Sequence, residues 1–590
     1  MQSARRHLPL ALVLLAATAA RIGYVLAQPA TDPDFSRPML DGAYFFDWAR
    51  SLASGHGGPG GAFYLAPLYP YLLAGFVRLF GESFALLYIA QHLFVVASAA
   101  LLAGVARRAS SERAGLFAAA ILVLYHPSLF FASRPLGEAV ALLVLALSLR
   151  LAVGDRRRDA LLSGLAGGLA SAARPNLLLV PAAWIATGVL ARRRVRAAIL
   201  AAGVALAVLP VAIHNLKASG HLVLLSSNSG ITLYHGNGPG ANGIFSRPPG
   251  FSGAVATQRE DATAVARERT GSPLDDVEAD GYWRREAVRA RLADPVGTLG
   301  LAGRRLLLLV DNAEHGLDYA PALDENPWRW AAPLPFAVLL ALAGAGLALS
   351  GVRGSGGATT WGAILACAAT PWIFYASSRY RLPMAALLSV PAGCGVSALA
   401  SGWGGIPRRR LLASLGVATA LALGSFLVPS SDLGRIEIAG ALANRSVGFK
   451  LSGALGKAEK DARRAIAIDP SAPLARFNLG VVLEAGGRRA EAEKMYRDAL
   501  SVDPGNADAA GNLSRILIDR HAEREAVPIL ERALAREGRH AVCWTNLVVA
   551  EASIGDVPSA RRSAEAATKA GVRLDPGMLR ALGFAPERSP

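Results

Sequence analysis

Acidic residues crowd one short stretch, TDPDFSRPMLDGAYFFDWAR, which carries Asp32, Asp34, Asp41 and Asp47. A carboxylate held beside a hydroxyl can remove its proton as the oxygen attacks, the work of a general base. A second acidic position, Glu138 in SRPLGEAV, stands at the edge of an apolar run. Ionisable residues there mark function by default; its structural alternative is a helix N-terminal carboxylate favoured by the helix dipole. Arg174 in ARPN, and Arg379 and Arg381 in SSRYRLP, also lie at the ends of apolar runs, the last two in a loop between two of them. Guanidinium forks match phosphate oxygens, and the plainer role for such arginines is snorkelling to lipid headgroups.

The elements that position these residues are set by composition. Of 590 residues 53% are hydrophobic and only 18% charged, against about 25% charged in soluble domains. This is a membrane protein. Runs of about 20 apolar residues span a bilayer as helices, because every backbone amide must be satisfied internally. Such runs lie near 8–27, 84–106, 114–132, 137–154, 159–173, 176–191, 197–214, 330–350, 359–377, 383–400 and 411–428, giving about eleven expected spans. The first reads as a retained anchor, since no small-residue cleavage site follows it, and residues 297–310 read as an extra span or an interfacial helix.

The chain holds 61 Lys+Arg against 44 Asp+Glu, a net +17. Arg107, Arg108, Arg113, Arg156 to Arg158, Arg192 to Arg194, Arg196 and Arg408 to Arg410 all fall in loops of one side if the N-terminus is cytoplasmic, as the positive-inside rule requires. The excess is therefore topological and no nucleic-acid partner is implied. Residues 28–83 and 215–329 become long outer segments, and the C-terminal part emerges on the outer side. The segment Tyr69 to Phe80 is expected along the membrane surface. Cys367, Cys394 and Cys543 are too far apart in sequence to offer a disulfide framework or a metal-binding spacing.

After residue 435 the chain turns into soluble, alanine-rich amphipathic helix with a 34-residue period. Asn444, Asn478, Asn512 and Asn546 keep it, as do Ala458, Ala492, Ala526 and Ala560, and Ala465, Ala499, Ala533 and Ala567. This pattern resembles the tetratricopeptide repeat, in three to four copies. Such a solenoid offers a surface for a peptide or protein partner; its alternative is a passive cap or spacer.

Residues 1–430 resemble the GT-C glycosyltransferases, in particular the bacterial members of the protein O-mannosyltransferase and aminoarabinose transferase superfamily, family 39. The resemblance rests on LDGAYFFDWA, FYLAPLYPYLL, Arg174-Pro175-Asn176, YHGNGPGANGIF at 234–245 and SSRYRLP at 377–383. It implies an all-α polytopic bundle in a bacterial inner membrane, with a polyprenyl-phosphate sugar donor and a protein or glycan acceptor. It also implies a general base at Asp41, with Asp47 and Asp34 as less favoured positions. Donor phosphate would be held by Arg379, Arg381 and Arg174, while Glu138 would orient the acceptor, bind a metal or assist the base. Tyr69 and Glu314 are secondary candidates bordering the acceptor. Some relatives use a divalent cation, although no histidine here shows an H-x-x-H or HExxH spacing. The pair Asp41-Gly42 departs from the Asp-Glu pair of the eukaryotic O-mannosyltransferases. Two other classes remain open: a lipid-linked sugar transporter or flippase, which would place ionisable residues in mid-span, and a non-catalytic scaffold whose repeats bind envelope proteins. The expected domains are a transmembrane transferase over 1–430 and a repeat domain over 435–585.

Overall fold

The computed structural model describes residues 2–246, 251, 255–317, 319–350, 354–402, 406–428 and 431–584. Parts of the second outer segment and Ala585, the last residue of the expected repeat domain, lie outside them. Every regular element among the described residues is helical, and the chain divides into two compact units, Met1–Leu433 and Gly434–Pro590.

In the first unit five helices have the length and apolarity to cross a bilayer: His7–Thr31, Phe84–Ala109, Arg194–Ser219, Ser378–Ala400 and Arg408–Leu427. Leu68–Phe80, Pro175–Leu190 and Phe336–Leu349 are shorter apolar helices. The run expected as one span over 114–132 is not one helix. It ends at Val123, leaves Tyr125 paired as a β-bridge to Leu334, and restarts as the short helix His126–Phe130 with Pro127 in its first turn. Proline cannot donate into a continuing helix, so the break falls there. The twelve residues Glu112–Val123 rise only about 18 Å, too short to span alone. Residues 297–310 form most of the helix Pro295–Val310.

Small residues let these helices cross closely. A Cβ on Gly164 would lie 2.0 Å from the Leu200 carbonyl oxygen, and one on Gly203 would lie 2.1 Å from that of Leu161. The helices Arg157–Ala173 and Arg194–Ser219 therefore meet backbone to backbone, as small-residue faces permit in membranes. Gly203→Val is expected to force them apart and to cost about 1–3 kcal/mol or more, read as a lower thermal transition of the full chain in detergent micelles.

Arg21 is an exception to the placement of charges at helix ends. It is buried within the first helix, donating to the Ser128 carbonyl at 3.0 Å, to Ser128 Oγ at 2.8 Å and to the Val123 carbonyl at 3.3 Å, with His92 Nδ1 at 3.1 Å. It staples the first helix to the break after Val123.

The second unit is a tetratricopeptide-type α-solenoid. First helices begin at Pro473, Ala507 and Ala541, and second helices at Leu455, Arg489, Glu523 and Val557, each series stepping by 34 residues. Ala458, Ala492, Ala526, Ala560 and the series from Ala465 to Ala567 are fully buried where helices cross. The periodic asparagines link neighbouring repeats: Asn478 Nδ2 donates to the Ala443 carbonyl at 2.8 Å, and Asn546 Nδ2 to the Gly511 carbonyl at 2.9 Å.

The turn inside each repeat needs a left-handed residue. Gly453, Gly487 and Gly555 supply it at φ +80°, +77° and +86°, while the equivalent place in the third repeat is His521 at φ +61°. An L-residue with a Cβ costs about 1–2 kcal/mol there. His521→Gly is thus expected to stabilise the repeat unit by roughly 1 kcal/mol, measured as a shifted urea midpoint at unchanged slope.

Candidate active site

Four segments far apart in sequence meet in one buried cluster. Asp41 lies in the first turn of the helix Leu40–Ala53 and Glu138 begins the helix Glu138–Ala152. Arg174 is the C-cap of the helix Arg157–Ala173, just before Pro175, and Arg379 lies in the first turn of the helix Ser378–Ala400. Arg379 Nη1 donates to Asp41 Oδ2 at 2.6 Å and Arg379 Nε to Glu138 Oε1 at 2.6 Å. Arg174 Nη1 donates to the same Glu138 oxygen, and its guanidinium stacks over Tyr380, 5.4 Å from the ring centroid. The Glu138 side chain is 2% exposed, that of Arg379 9% and that of Asp41 20%, so Asp41 is the carboxylate that reaches outward. Glu138 Oε2 is buried with no hydrogen-bond partner among the described residues. Two carboxylates and two guanidiniums balance in charge, so a buried ionic group of this kind holds together only while both partners are present.

The backbone at Asp41 is constrained. Leu40 has φ +55°, unusual for a branched side chain and found where surrounding structure holds it. The Tyr319 hydroxyl donates to the Met39 carbonyl at 2.7 Å. A Cβ on Gly42 would lie 3.0 Å from Pro135 Cγ and 3.1 Å from Tyr319 Oη. A glutamate at position 42 would press on both groups, and Pro135 or Tyr319 would have to give by a few tenths of an ångström.

Arg381 goes elsewhere. The loop expected around Arg379 and Arg381 is the start of a helix, and the two side chains point to different partners. Arg381 donates through Nη1 to the Asp311 carbonyl and through Nη2 to the Ala313 carbonyl at 2.7 Å, with Glu314 Oε2 2.8 Å from Nη2 and the Phe336 ring centroid 4.1 Å from the guanidinium carbon. Glu314 also accepts from the Tyr125 hydroxyl at 2.9 Å. Arg381 and Glu314 thus form a second buried group that ties residues 311–314 to the helix Ser378–Ala400, and the structure does not join them to Asp41.

The remaining candidates also separate. Asp47 is largely exposed and faces Arg50 at 3.4 Å. Asp34 follows Asp32, whose carboxylate pairs with Arg134 and accepts the Asp34 amide at 3.0 Å. Burial opposes the charge on Arg134, yet the Asp32 carboxylate overcomes it and holds the guanidinium pKa above its ordinary value. Tyr69 is buried, and its hydroxyl donates to Gln91 Oε1 at 2.9 Å. Gln91 Nε2 continues the chain of bonds, donating to the Ala132 and Arg134 carbonyls at 2.9 and 2.7 Å. Tyr69 therefore braces the segment before Glu138 instead of lining an open groove.

Sequence reasoning missed Tyr380 and Tyr319. Tyr380 stands in plain view between the two arginines of SRYRLP, whereas nothing in the sequence points Tyr319 at Met39. For a cation, the single grouping of three ligand-type side chains among the described residues is His221, Asp275 and Glu278, which does not include Asp41. Asp275 and Glu278 there form the capping box of the helix Asp276–Ala293. Burial pushes the Asp275 pKa up, but the amides of Glu278 and Val277 and the His221 ring outweigh it and leave the value lowered.

The model of the dolichyl-phosphate-mannose-protein mannosyltransferase family matches residues 65–216, a stretch that includes Glu138 and Arg174 and excludes Asp41 and Arg379. No curated protein matches the chain. Among solved structures, a pilF protein of Pseudomonas aeruginosa is 25% identical and covers 25% of this chain and 66% of its own, with a TM-score of 0.23. YrrB, described as a TPR protein with an unusual peptide-binding site, is 24% identical and covers 24% of this chain and 72% of its own, with a TM-score of 0.22. TTC0263, a thermophilic TPR protein of Thermus thermophilus, is 17% identical and covers 28% of this chain and 92% of its own, with a TM-score of 0.21. The family match and the apolar helices together support a membrane glycosyltransferase of the GT-C type.

Proposed function

We propose that this chain transfers a sugar from a polyprenyl-phosphate-linked donor to a hydroxyl acceptor on the outer face of a bacterial inner membrane. The observation that carries the reading is the bridge made by one guanidinium, Arg379, between Asp41 and Glu138, with Arg174 on the far side of Glu138. Asp41 takes the acceptor proton as the acceptor oxygen bonds to the anomeric carbon. The bond from that carbon to the donor phosphate oxygen breaks, and the phosphate leaves with its electron pair. Arg379 and Arg174 face that developing charge as preorganised donors. Glu138, buried between them, keeps both guanidiniums aimed and sets their spacing. Arg381 then serves in positioning, because both of its terminal nitrogens are already committed to backbone carbonyls and Glu314.

The transferase part occupies residues 1–430 in this reading and the repeats residues 435–585. The N-terminus is cytoplasmic and the repeats face the outer side, where they hold a protein acceptor or an envelope partner. Family 39 is the assignment that the motifs around Asp41 and Arg379 favour. The test uses membranes containing the chain and radiolabelled donors. Label supplied on polyprenyl phosphate is expected to pass to acceptor, and label supplied on a nucleotide sugar is expected to stay on it. Transfer from the nucleotide sugar alone, in membranes stripped of polyprenyl phosphate, would overturn the proposal.

A further inference from the structure

Another charged site lies at the opposite end of the helix that leads into Arg174. The helix Arg157–Ala173 begins beside a cleft of about 320 Å³ lined by Asp155, Arg157, Arg192, Arg193, Arg194 and Arg196, and it ends at Arg174 in the carboxylate cluster. Its 17 residues rise about 25 Å, close to the roughly 30 Å hydrocarbon thickness of a bilayer. In the topology proposed above, that helix crosses the bilayer and the cleft lies in the headgroup layer opposite the one that borders Asp41.

Its arginines are not spent on neighbours. The side chains of Arg157, Arg192, Arg193 and Arg194 make no ion pair or hydrogen bond among the described residues. Asp155, the one carboxylate on the cleft, is turned to Arg108. Arg196 is turned inward, onto the Ala152 carbonyl at 2.8 Å and the Gly154 carbonyl at 2.5 Å, where it fixes the floor. The turn that fans the other arginines is a helix C-terminal one. The Arg192 and Arg193 amides return to the Val189 and Gly188 carbonyls at 3.0 and 2.8 Å, and Arg192 stands at φ +58°, where glycine is the usual residue. Arg193 then opens the helix Arg194–Ser219 without giving it a side-chain cap, which leaves its first amide groups without an acceptor of their own. Exposed arginines are expected on a cytoplasmic face; four such side chains around one cleft and beside an uncapped helix start go beyond what topology needs.

We propose that this cleft binds the phosphate of an anionic phospholipid headgroup from the leaflet opposite the carboxylate cluster, as basic pockets between membrane helices do. The proposal is independent of the transfer chemistry. The test follows lipid retention by native mass spectrometry of the full chain taken from bilayers of phosphatidylcholine with about one fifth phosphatidylglycerol. Wild type is expected to retain phosphatidylglycerol at least about tenfold over its share of the bilayer. The triple change Arg192→Gln, Arg193→Gln and Arg194→Gln is expected to abolish that preference. The triple change Arg408→Gln, Arg409→Gln and Arg410→Gln removes the same charge from exposed positions on another helix and is expected to keep it. Equal retention of the two lipids by wild type overturns the proposal, whether or not the variants fold. Loss of the preference in the second triple variant also overturns it, in favour of general surface charge. Displacement of phosphatidylglycerol by millimolar inorganic phosphate overturns it in favour of a soluble anion site.

Discussion

Arg379→Met is expected to lower sugar transfer by about 10³-fold or more and to destabilise the chain by about 3–5 kcal/mol. Both effects come from one deletion. Arg379 is the shared partner of Asp41 and Glu138 at 2.6 Å each, so its loss leaves the buried Glu138 charge with Arg174 alone and takes from Asp41 the guanidinium it pairs with. Arg379→Lys keeps the charge but cannot reach two carboxylates as a planar fork. It is expected to recover most of the stability and little of the turnover. Pairing Arg379→Met with Glu138→Gln separates the two terms. With the charge at 138 removed, the stability loss is expected to shrink to about 1 kcal/mol, while transfer stays low. The measurement is a thermal transition and a rate of label transfer for wild type, these three variants and Glu138→Gln alone, which closes the cycle. Equal stability losses with and without Glu138 would show that the bridge is not what Arg379 stabilises.

Asp41→Asn is expected to reduce the turnover number by about 10²–10⁴-fold, the range that a positioned general base supplies. It should leave donor binding within a few-fold, because the substitution keeps the shape of the side chain and an oxygen that accepts from Arg379. Steady-state rates and donor binding measured side by side check the split. A parallel change at Asp47, which is exposed and faces Arg50 and solvent, is expected to leave both quantities near wild type. If Asp47→Asn instead stops transfer while Asp41→Asn does not, the base has been placed on the wrong face of the helix Leu40–Ala53.

The all-helical fold and the repeats were legible because both are periodic. Asparagine and alanine spaced by 34 residues sit where repeats touch, and Asn478 and Asn546 make the inter-repeat bonds that the period implies. Span number was less legible. Hydropathy runs through 114–132 without a gap, but the backbone breaks at Tyr125 and Pro127, and hydropathy does not register a broken helix. At the site, residue types were readable and pairings were not. Asp41 and Arg379 are brought together by packing that no local pattern encodes. Arg379 and Arg381 look equivalent in a sequence because they share a motif that reads as a loop. Once they stand on a helix, residues two apart point to different faces, so one meets Asp41 and the other meets Glu314. The crowding at Gly42 was equally invisible, since it comes from Pro135 and Tyr319, both distant in sequence.

In the proposed reaction Asp41 acts as a base in a direct displacement at the anomeric carbon, with phosphate as the leaving group. The configuration of the product tests this most directly, read by NMR of the transferred sugar from a donor of known anomeric form. A single displacement inverts that centre, so a product of the opposite configuration is expected. Retention would mean that a carboxylate had first bonded to the sugar, and it would contradict the assignment of Asp41 as base.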